Sequence, residues 1–266
     1  SSDRNNFINI TFTCPLESLN PCLPQAGSYP IFIMLNKFLK ILFPEFCPVC
    51  KNPSNHHKTA PICLACWQAI SPYKGPICRK CGKPLASDAS IICSTCIKDA
   101  PAFEWVRSFG IYEGTLREAI NLLKYKRIKR LSRPLSELMI NLTMPQAHAI
   151  IPVPLFKRRL RQREFNHSAL LAKYLADYTG IPLIQNCLIK VRDTRPQVGL
   201  SAKERWKNIR DAFKITDRHS LKKKDLILVD DVVTTGATVR ECSRMMKKAG
   251  AENIYVLVLA HGSGDF

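Results

Sequence analysis

No stretch of 18 apolar residues occurs in the chain, which excludes a membrane-spanning helix. The opening Ser1-Ser-Asp-Arg-Asn-Asn lacks a charged run followed by an apolar one, so no secretory leader is expected. Acidic side chains are scarce: 21 Asp and Glu stand against 40 Lys and Arg, a formal charge of +19. The excess is spread along the chain, since residues 1–100 already carry 10 basic against 5 acidic groups. Such a balance favours a polyanionic partner. Cysteine is plentiful, with 12 residues, yet the spacing argues against a disulfide scaffold. Eight of the cysteines form four Cys-x-x-Cys pairs, a pattern that suits metal. A reducing, cytoplasmic location is the consistent expectation.

Those pairs form an internal repeat. Cys47-Pro-Val-Cys50-Lys-Asn-Pro matches Cys78-Arg-Lys-Cys81-Gly-Lys-Pro, and Cys63-Leu-Ala-Cys66 matches Cys93-Ser-Thr-Cys96. Each tight turn presents two thiolates, and zinc takes four in a tetrahedron. Two structural zinc sites are therefore expected. The repeat favours Cys47, Cys50, Cys63 and Cys66 for one, and Cys78, Cys81, Cys93 and Cys96 for the other. A crossed pairing stays open at this level. His56 and His57 are read as surface residues, and Cys187 and Cys242 as part-buried thiols. Bound as thiolates, the eight cysteines and two zinc ions lower the net charge to about +15. The stretch has few large apolar residues, so metal would supply much of its folding free energy.

Residues 1–33 differ in character from the rest, with four prolines, isolated Cys14 and Cys22, and no clear period. They are read as a non-native or disordered extension, with Met34 as the initiator of an amphipathic helix that enters the first cysteine turn. Residues 34–100 form the expected zinc-binding module and 101–266 an α/β domain. In the latter, strands are expected at Val106–Tyr112, Ala149–Val153, Leu226–Val229 and Ile254–Leu259. Helices are expected at Thr115–Leu123, at Ser168–Tyr178 with Leu171, Leu175 and Tyr178 inward, and at Thr238–Ala249. Strands alternating with helices imply a parallel sheet.

The most informative segment is Leu226-Ile-Leu-Val-Asp230-Asp231-Val232-Val233-Thr234-Thr235-Gly236, followed by Thr238. A buried strand ends in two carboxylates, and ligands bind at the carboxyl ends of parallel strands. Hydroxyls and free N–H groups at the start of the next helix suit a phosphate. Adjacent carboxylates suit vicinal hydroxyls. The segment therefore asks for a ribose beside a phosphate.

This segment resembles the phosphoribosyl-pyrophosphate (PRPP) motif of type I phosphoribosyltransferases. The resemblance implies that Asp230 and Asp231 hold ribose hydroxyls, that Val232 to Thr238 cradle the 5-phosphate, and that Mg²⁺ arrives with the pyrophosphate. It extends further. Ile151-Pro-Val-Pro154, then Arg158, Arg159, Arg163, Phe165 and Asn166, and then Arg195-Pro-Gln197, Arg205, Asn208 and Phe213, resemble in order the ComF family. Its pattern departs at Glu164, where glycine is usual, and at His167, where glutamine is common. The expected fold is α/β, a type I phosphoribosyltransferase-like parallel sheet flanked by helices and preceded by a small Cys-rich zinc-binding module. The resemblance implies a competence protein that handles single-stranded DNA in the cytoplasm during natural transformation. Its implied partners are the ComFA helicase and the recombination mediator DprA.

The acid-loop segment lacks a carboxylate at position 234, where the 6-oxopurine enzymes have one near the base. Binding of PRPP is therefore better supported than its turnover. Three basic segments favour nucleic acid. They hold Lys124, Lys126, Arg127, Lys129 and Arg130; Arg158, Arg159 and Arg163; and Lys203 and Arg205 beside Trp206. The second and third groups also suit the pyrophosphate of PRPP, and Trp206 also reads as core. A metabolic phosphoribosyltransferase acting on a nucleobase-like acceptor is the alternative.

Overall fold

A computed structural model describes residues 45–54, 56–87, 89–194 and 202–262, the side chains of Ala202 and Lys203 excepted. The expectations for residues 1–33 and for a helix from Met34 lie outside these residues, as do Arg195 and Gln197.

The repeat in the sequence is a repeat in space. Cys47 N–H donates to Asn52 O and Cys78 N–H to Lys83 O, both at 2.8 Å. Lys51 and Gly82 close the two turns with φ of 65° and 70°. Only glycine holds that conformation without strain. At Gly82 a second reason applies: a Cβ would lie 2.8 Å from the Val106 carbonyl oxygen. Each repeat ends in one helical turn, α1 (Leu64–Gln68) and α2 (Ser94–Lys98).

The α/β part follows as β1 (Trp105–Ile111), α3 (Gly114–Tyr125), a 3₁₀ turn (Lys129–Leu131), α4 (Ser132–Ile140), β2 (Ala149–Pro152), α5 (Lys157–Arg163) and α6 (His167–Thr179). Then come β3 (Leu188–Lys190), α7 (Ala202–Ile209), β4 (Phe213–Ile215), β5 (Leu226–Val233), α8 (Ala237–Lys248) and β6 (Ile254–His261). Four strands pair in the order β1-β6-β5-β2, all parallel, and β3 with β4 forms a separate antiparallel pair. Strands β5 and β6 are central and buried on both faces, which is why they read as unbroken apolar runs.

Helix α3 buries Leu116, Ala119, Ile120, Leu122 and Leu123, which share one stripe at helical spacing. Helix α6 begins where the Asn166 side chain accepts from Ser168 N–H at 3.1 Å, and ends at Gly180 with φ 73°. Leu171 and Leu175 face inward as expected, but Tyr178 is 67% exposed. It sits in the last turn, past the reach of the sheet. Strand β5 runs four residues beyond the expected end, through the acids to Val233.

The cysteine repeats are built onto this frame. Cys47 and Ile62 share a core with Ile120, Leu123 and Leu257, and Val106 N–H donates to Lys80 O at 2.8 Å. Cys187 and Cys242 are more buried than expected, at 3% and 0% exposed, because both pack against the Leu226–Val256 core.

Candidate functional site

Two chemistries are assembled, and the zinc clusters are the simpler. The four sulfurs of Cys47, Cys50, Cys63 and Cys66 lie together, and so do those of Cys78, Cys81, Cys93 and Cys96. The sequential pairing is thus the one the fold adopts. Cys50 Sγ to Cys63 Sγ and Cys81 Sγ to Cys93 Sγ are each 3.6 Å. A tetrahedron of Zn–S bonds of about 2.3 Å has edges of about 3.8 Å, so the clusters fit structural zinc. Burial alone would raise the Cys47 thiol, but backbone N–H groups of Cys50, Cys63 and Val49 outweigh it and bring the pKa down to about 6. Such N–H groups favour a thiolate ligand. His56 bonds Thr59 instead, at 2.9 Å, and neither it nor His57 joins a cluster.

The second chemistry lies at the carboxyl edge of the sheet. Asp230 and Asp231 lie in the second half of β5, two residues before its end, and are 9% and 4% exposed. Their burial is answered from within the protein. Lys124 Nζ lies 2.7 Å from Asp231 Oδ1, and His167 Nε2 lies 2.5 Å from Asp231 Oδ2. Asp230 Oδ1 accepts from Ser168 Oγ–H and from Asp231 N–H, each at 2.9 Å. A guanidinium can only donate, and Arg163 Nη1 stands 3.3 Å from His167 Nδ1. Nδ1 therefore accepts, which puts the proton on Nε2, the nitrogen in close contact with Asp231 Oδ2. Burial, the main influence on His167, lowers its pKa and keeps the ring neutral.

The two acids consequently behave differently. Burial would raise Asp231, but His167 and the Lys124 ammonium outweigh it and hold the carboxyl well below the usual range. Asp230 has no cation at hydrogen-bond distance among the described residues. Burial first, then the charge of Asp231, pushes it up to about 7. Asp231 is the anchored anion and Asp230 the titratable one.

The loop that follows is shaped for an anion. Gly236 has φ 77°, with Arg240 Nε 4.0 Å from where a Cβ would lie, and it caps the start of α8. Thr235 Oγ1 is buried without a hydrogen-bond partner among the described residues. An orphaned buried hydroxyl costs about 1–3 kcal/mol unless a ligand or water satisfies it. Thr234 Oγ1 accepts from Arg205 Nη1 at 3.1 Å, so α7 reaches across the loop. Val232 is half-buried and Val233 buried, both as strand residues, and Thr238 lies in the first turn of α8.

The basic residues divide. Lys124 leaves the surface group to which its sequence assigns it: its ammonium neutralises Asp231. Tyr125 is 60% exposed with Arg163 over its ring at 5.1 Å. Lys126 and Lys129 are exposed, and Lys129 Nζ lies 5.1 Å from the Phe165 ring. Arg127 pairs with Glu164 and donates to Gln162 O at 2.7 Å. Arg130 is tied to the first zinc repeat, donating to Ala60 O at 2.8 Å. Arg158 pairs with Asp193 at 2.5 Å, and Arg159 donates to Thr194 O at 2.9 Å. The Lys203 side chain lies outside the described residues.

Glu164 shows why glycine is usual there. Its φ is 67°, a conformation that costs an L-residue roughly 1–2 kcal/mol. Its pair with Arg127 is half exposed, so it contributes little. Glu164→Gly is expected to raise stability by about 0.5–1 kcal/mol in urea unfolding. An unchanged or lowered midpoint would refute this account of the strain.

His167 and Ser168 are the site residues that sequence reasoning missed. The signal was present: the departure at His167 directly follows the family pattern that ends in Asn166, and Asn166 caps the helix carrying both.

Comparison with known proteins agrees with this geometry. The double zinc ribbon domain family matches residues 38–97, and the phosphoribosyl transferase domain family matches residues 167–265. Competence protein F of Haemophilus influenzae is 34% identical over 176 residues, covering 62% of this chain and 76% of that protein. The chain belongs to the ComF family. The DNA utilization protein YhgH of Salmonella typhi is 30% identical over 62% of this chain and 75% of that protein. Competence protein ComFC of Bacillus subtilis is 25% identical over 80% and 75%. In ComF terms, the phosphoribosyl transferase match begins at His167 and so contains the acid pair, its Ser168 donor and the threonine loop.

Proposed function

We propose that this ComF protein binds PRPP at the acid pair and threonine loop, and single-stranded DNA on the basic surface beside it, in the cytoplasmic handling of DNA during transformation. One observation carries the reading. The loop after β5 and the basic helix after β2 leave the same edge of adjacent strands, and Arg163 links them through His167 to Asp231. Helix α5 has no buried residue; it exposes Arg158 and Arg161, with Arg163 half-buried at its end. Tyr125 supplies an exposed ring, and stacking on unpaired bases contributes roughly 1–3 kcal/mol per base. Ribose hydroxyls would donate to Asp230, whose bonds come from neutral groups, while Asp231 keeps its cation. Mg²⁺ would travel with the pyrophosphate, since Lys124 already neutralises the buried anion. ComFA and DprA are the protein partners that the reading implies.

Fluorescence anisotropy of a labelled single-stranded oligonucleotide across a salt series, with and without PRPP and Mg²⁺, tests the DNA half. Binding that weakens steeply with salt is expected. Its absence at low salt would favour the metabolic alternative, to be pursued with nucleobase acceptors and pyrophosphate release. The PRPP half carries a pH signature. Asp230 must be ionised to accept two hydroxyls well, and its pKa is raised to about 7. PRPP affinity by calorimetry is therefore expected to fall as pH drops below 7, by up to about tenfold per unit for one proton. A flat profile between pH 5.5 and 8 would remove Asp230 from the contact.

A further inference from the structure

A cavity of about 870 Å³ opens between the second zinc repeat, α7 and α8. It is separate from the acid pair, and of its wall only Trp206 figures in the preceding reading, as the neighbour of Lys203 and Arg205. Its wall includes Trp206, Lys207 and Arg210 from α7, and Arg240, Glu241 and Arg244 from α8. Asp99 to Ala102, just past α2, close the third side. The size falls within the range of small-molecule sites, roughly 300–1,000 Å³.

The charges and shapes select a ligand class. Four cations line the space against two acids, Asp99 and Glu241. Both acids are already engaged: Glu241 accepts from Arg244 and from Asp211 N–H, and Asp99 accepts from Arg240. Asp211, just outside the lining, pairs with Arg244 at 2.8 Å and with Arg210 at 3.8 Å, so four cations face three acids and the surplus positive charge sits on the exposed Lys207 and Arg210 at the mouth. Arg240 is 6% exposed and its guanidinium lies 5.2 Å from the Trp206 ring. Its edges are fixed by Asp99 O at 2.6 Å and Cys96 Sγ at 3.1 Å. Trp206 is thus a held aromatic surface, while Lys207 and Arg210 are exposed at the rim. A flat aromatic wall with cations around its mouth fits a planar, anionic ligand.

We infer that this cavity is a second ligand site and that it takes a nucleotide, with the base against Trp206 and the phosphate among Lys207, Arg210 and Arg244. The nucleotide is either free or part of a single strand, since both offer a stackable base and a phosphate. The site is independent of the acid pair, so its failure and the failure of PRPP binding are separable.

The test uses full-length zinc-loaded protein with Trp67→Phe and Trp105→Phe, which leaves Trp206 as the reporter. Thymidine monophosphate, adenosine monophosphate and a ten-residue oligothymidylate are titrated, with ribose 5-phosphate as the control. Saturable quenching by the nucleotides and none by ribose 5-phosphate is expected. Lys207→Ser with Arg210→Ser should weaken it by about tenfold or more, and Asp230→Asn, which keeps the buried Lys124–Asp231 pair, should leave it unchanged. Equal affinity for monomer and oligomer identifies a free nucleotide. An oligomer at least about tenfold tighter identifies a strand. No saturable quenching, quenching lost in Asp230→Asn, or strand binding that leaves Trp206 unaffected would each overturn the inference. Photolabelling of the unsubstituted protein by 8-azidoadenosine monophosphate reads the same outcome if the two phenylalanine changes disturb folding. Label on the peptide containing Trp206 supports the site, and label confined to the peptide containing Asp230 refutes it.

Discussion

Lys124→Met is expected to destabilise the protein by about 3–5 kcal/mol, because it removes one partner of a buried pair and leaves the other charged. The ammonium lies 2.7 Å from Asp231, and the side chains are 13% and 6% exposed. Burial would lower the lysine pKa, but Asp231 outweighs it and holds the group charged. At about 2–4 °C per kcal/mol for a domain of this size, the melting temperature should fall by roughly 6–20 °C. Adding Asp231→Asn should recover much of that loss, since the orphaned charge disappears with it. A lysine on a solvated surface would cost less than about 0.5 kcal/mol, so a small effect would return Lys124 to the exposed basic group. The pH dependence has a defined sign. Asp231 has a depressed folded pKa, so its contribution is present above about pH 4 and is lost as pH falls further. Asp230 acts oppositely: its folded pKa is raised, so its cost to stability grows as pH rises from about 4 to about 7. Lys124→Met should reduce the first contribution and leave a steeper decline toward neutral pH.

Arg240→Ala should uncouple the second cysteine cluster from the helix that follows the threonine loop. The guanidinium donates to Cys96 Sγ, Asp99 O and Asp99 Oδ2, and lies over both Trp206 and Phe103. Groups that hydrogen-bond a metal ligand typically affect metal affinity by about 10–100-fold. Zinc release to a chromogenic chelator is therefore expected to accelerate for one of two equivalents, with the Cys47 cluster unchanged. The substitution also leaves a cavity and unpaired acceptors, a loss of about 3 kcal/mol or more. Arg240→Lys should rescue little, because an ammonium lacks the planar fork that serves three acceptors and the ring together. Equal release of both zinc equivalents at the wild-type rate would show that Arg240 only packs.

How much of this was legible depended on separation along the chain. The cysteine turns, the apolar run of β5, the two acids and the Thr-Thr-Gly loop are each contained in a few consecutive residues. Their spacing carries their chemistry, and the repeat of one cysteine unit by the next pointed to the sequential zinc pairing. The glycines at 82, 180, 236 and 250 mark turns that need positive φ, and all have it. Glu164 is the instructive departure: its sequence reports a missing glycine, and its φ explains why the family uses one.

Partners far apart in sequence were decided only by the tertiary structure. Ser168 and Asp230 are 62 positions apart, and Arg240 and Cys96 are 144 apart. No periodicity links such pairs; they meet because β5 lies between β2 and β6, and because α2 docks beside α8. The same reason moved Lys124 from a basic run into the acid site, since helix α3 turns that one residue toward the sheet edge while Tyr125 and Lys126 face out. The sequence by itself determined the fold class, the two four-cysteine clusters and the acid-loop motif, because those are local patterns of residue type. Which acid is anchored, which titrates, and which cations remain at the surface followed from burial and distance, which only the packed chain defines.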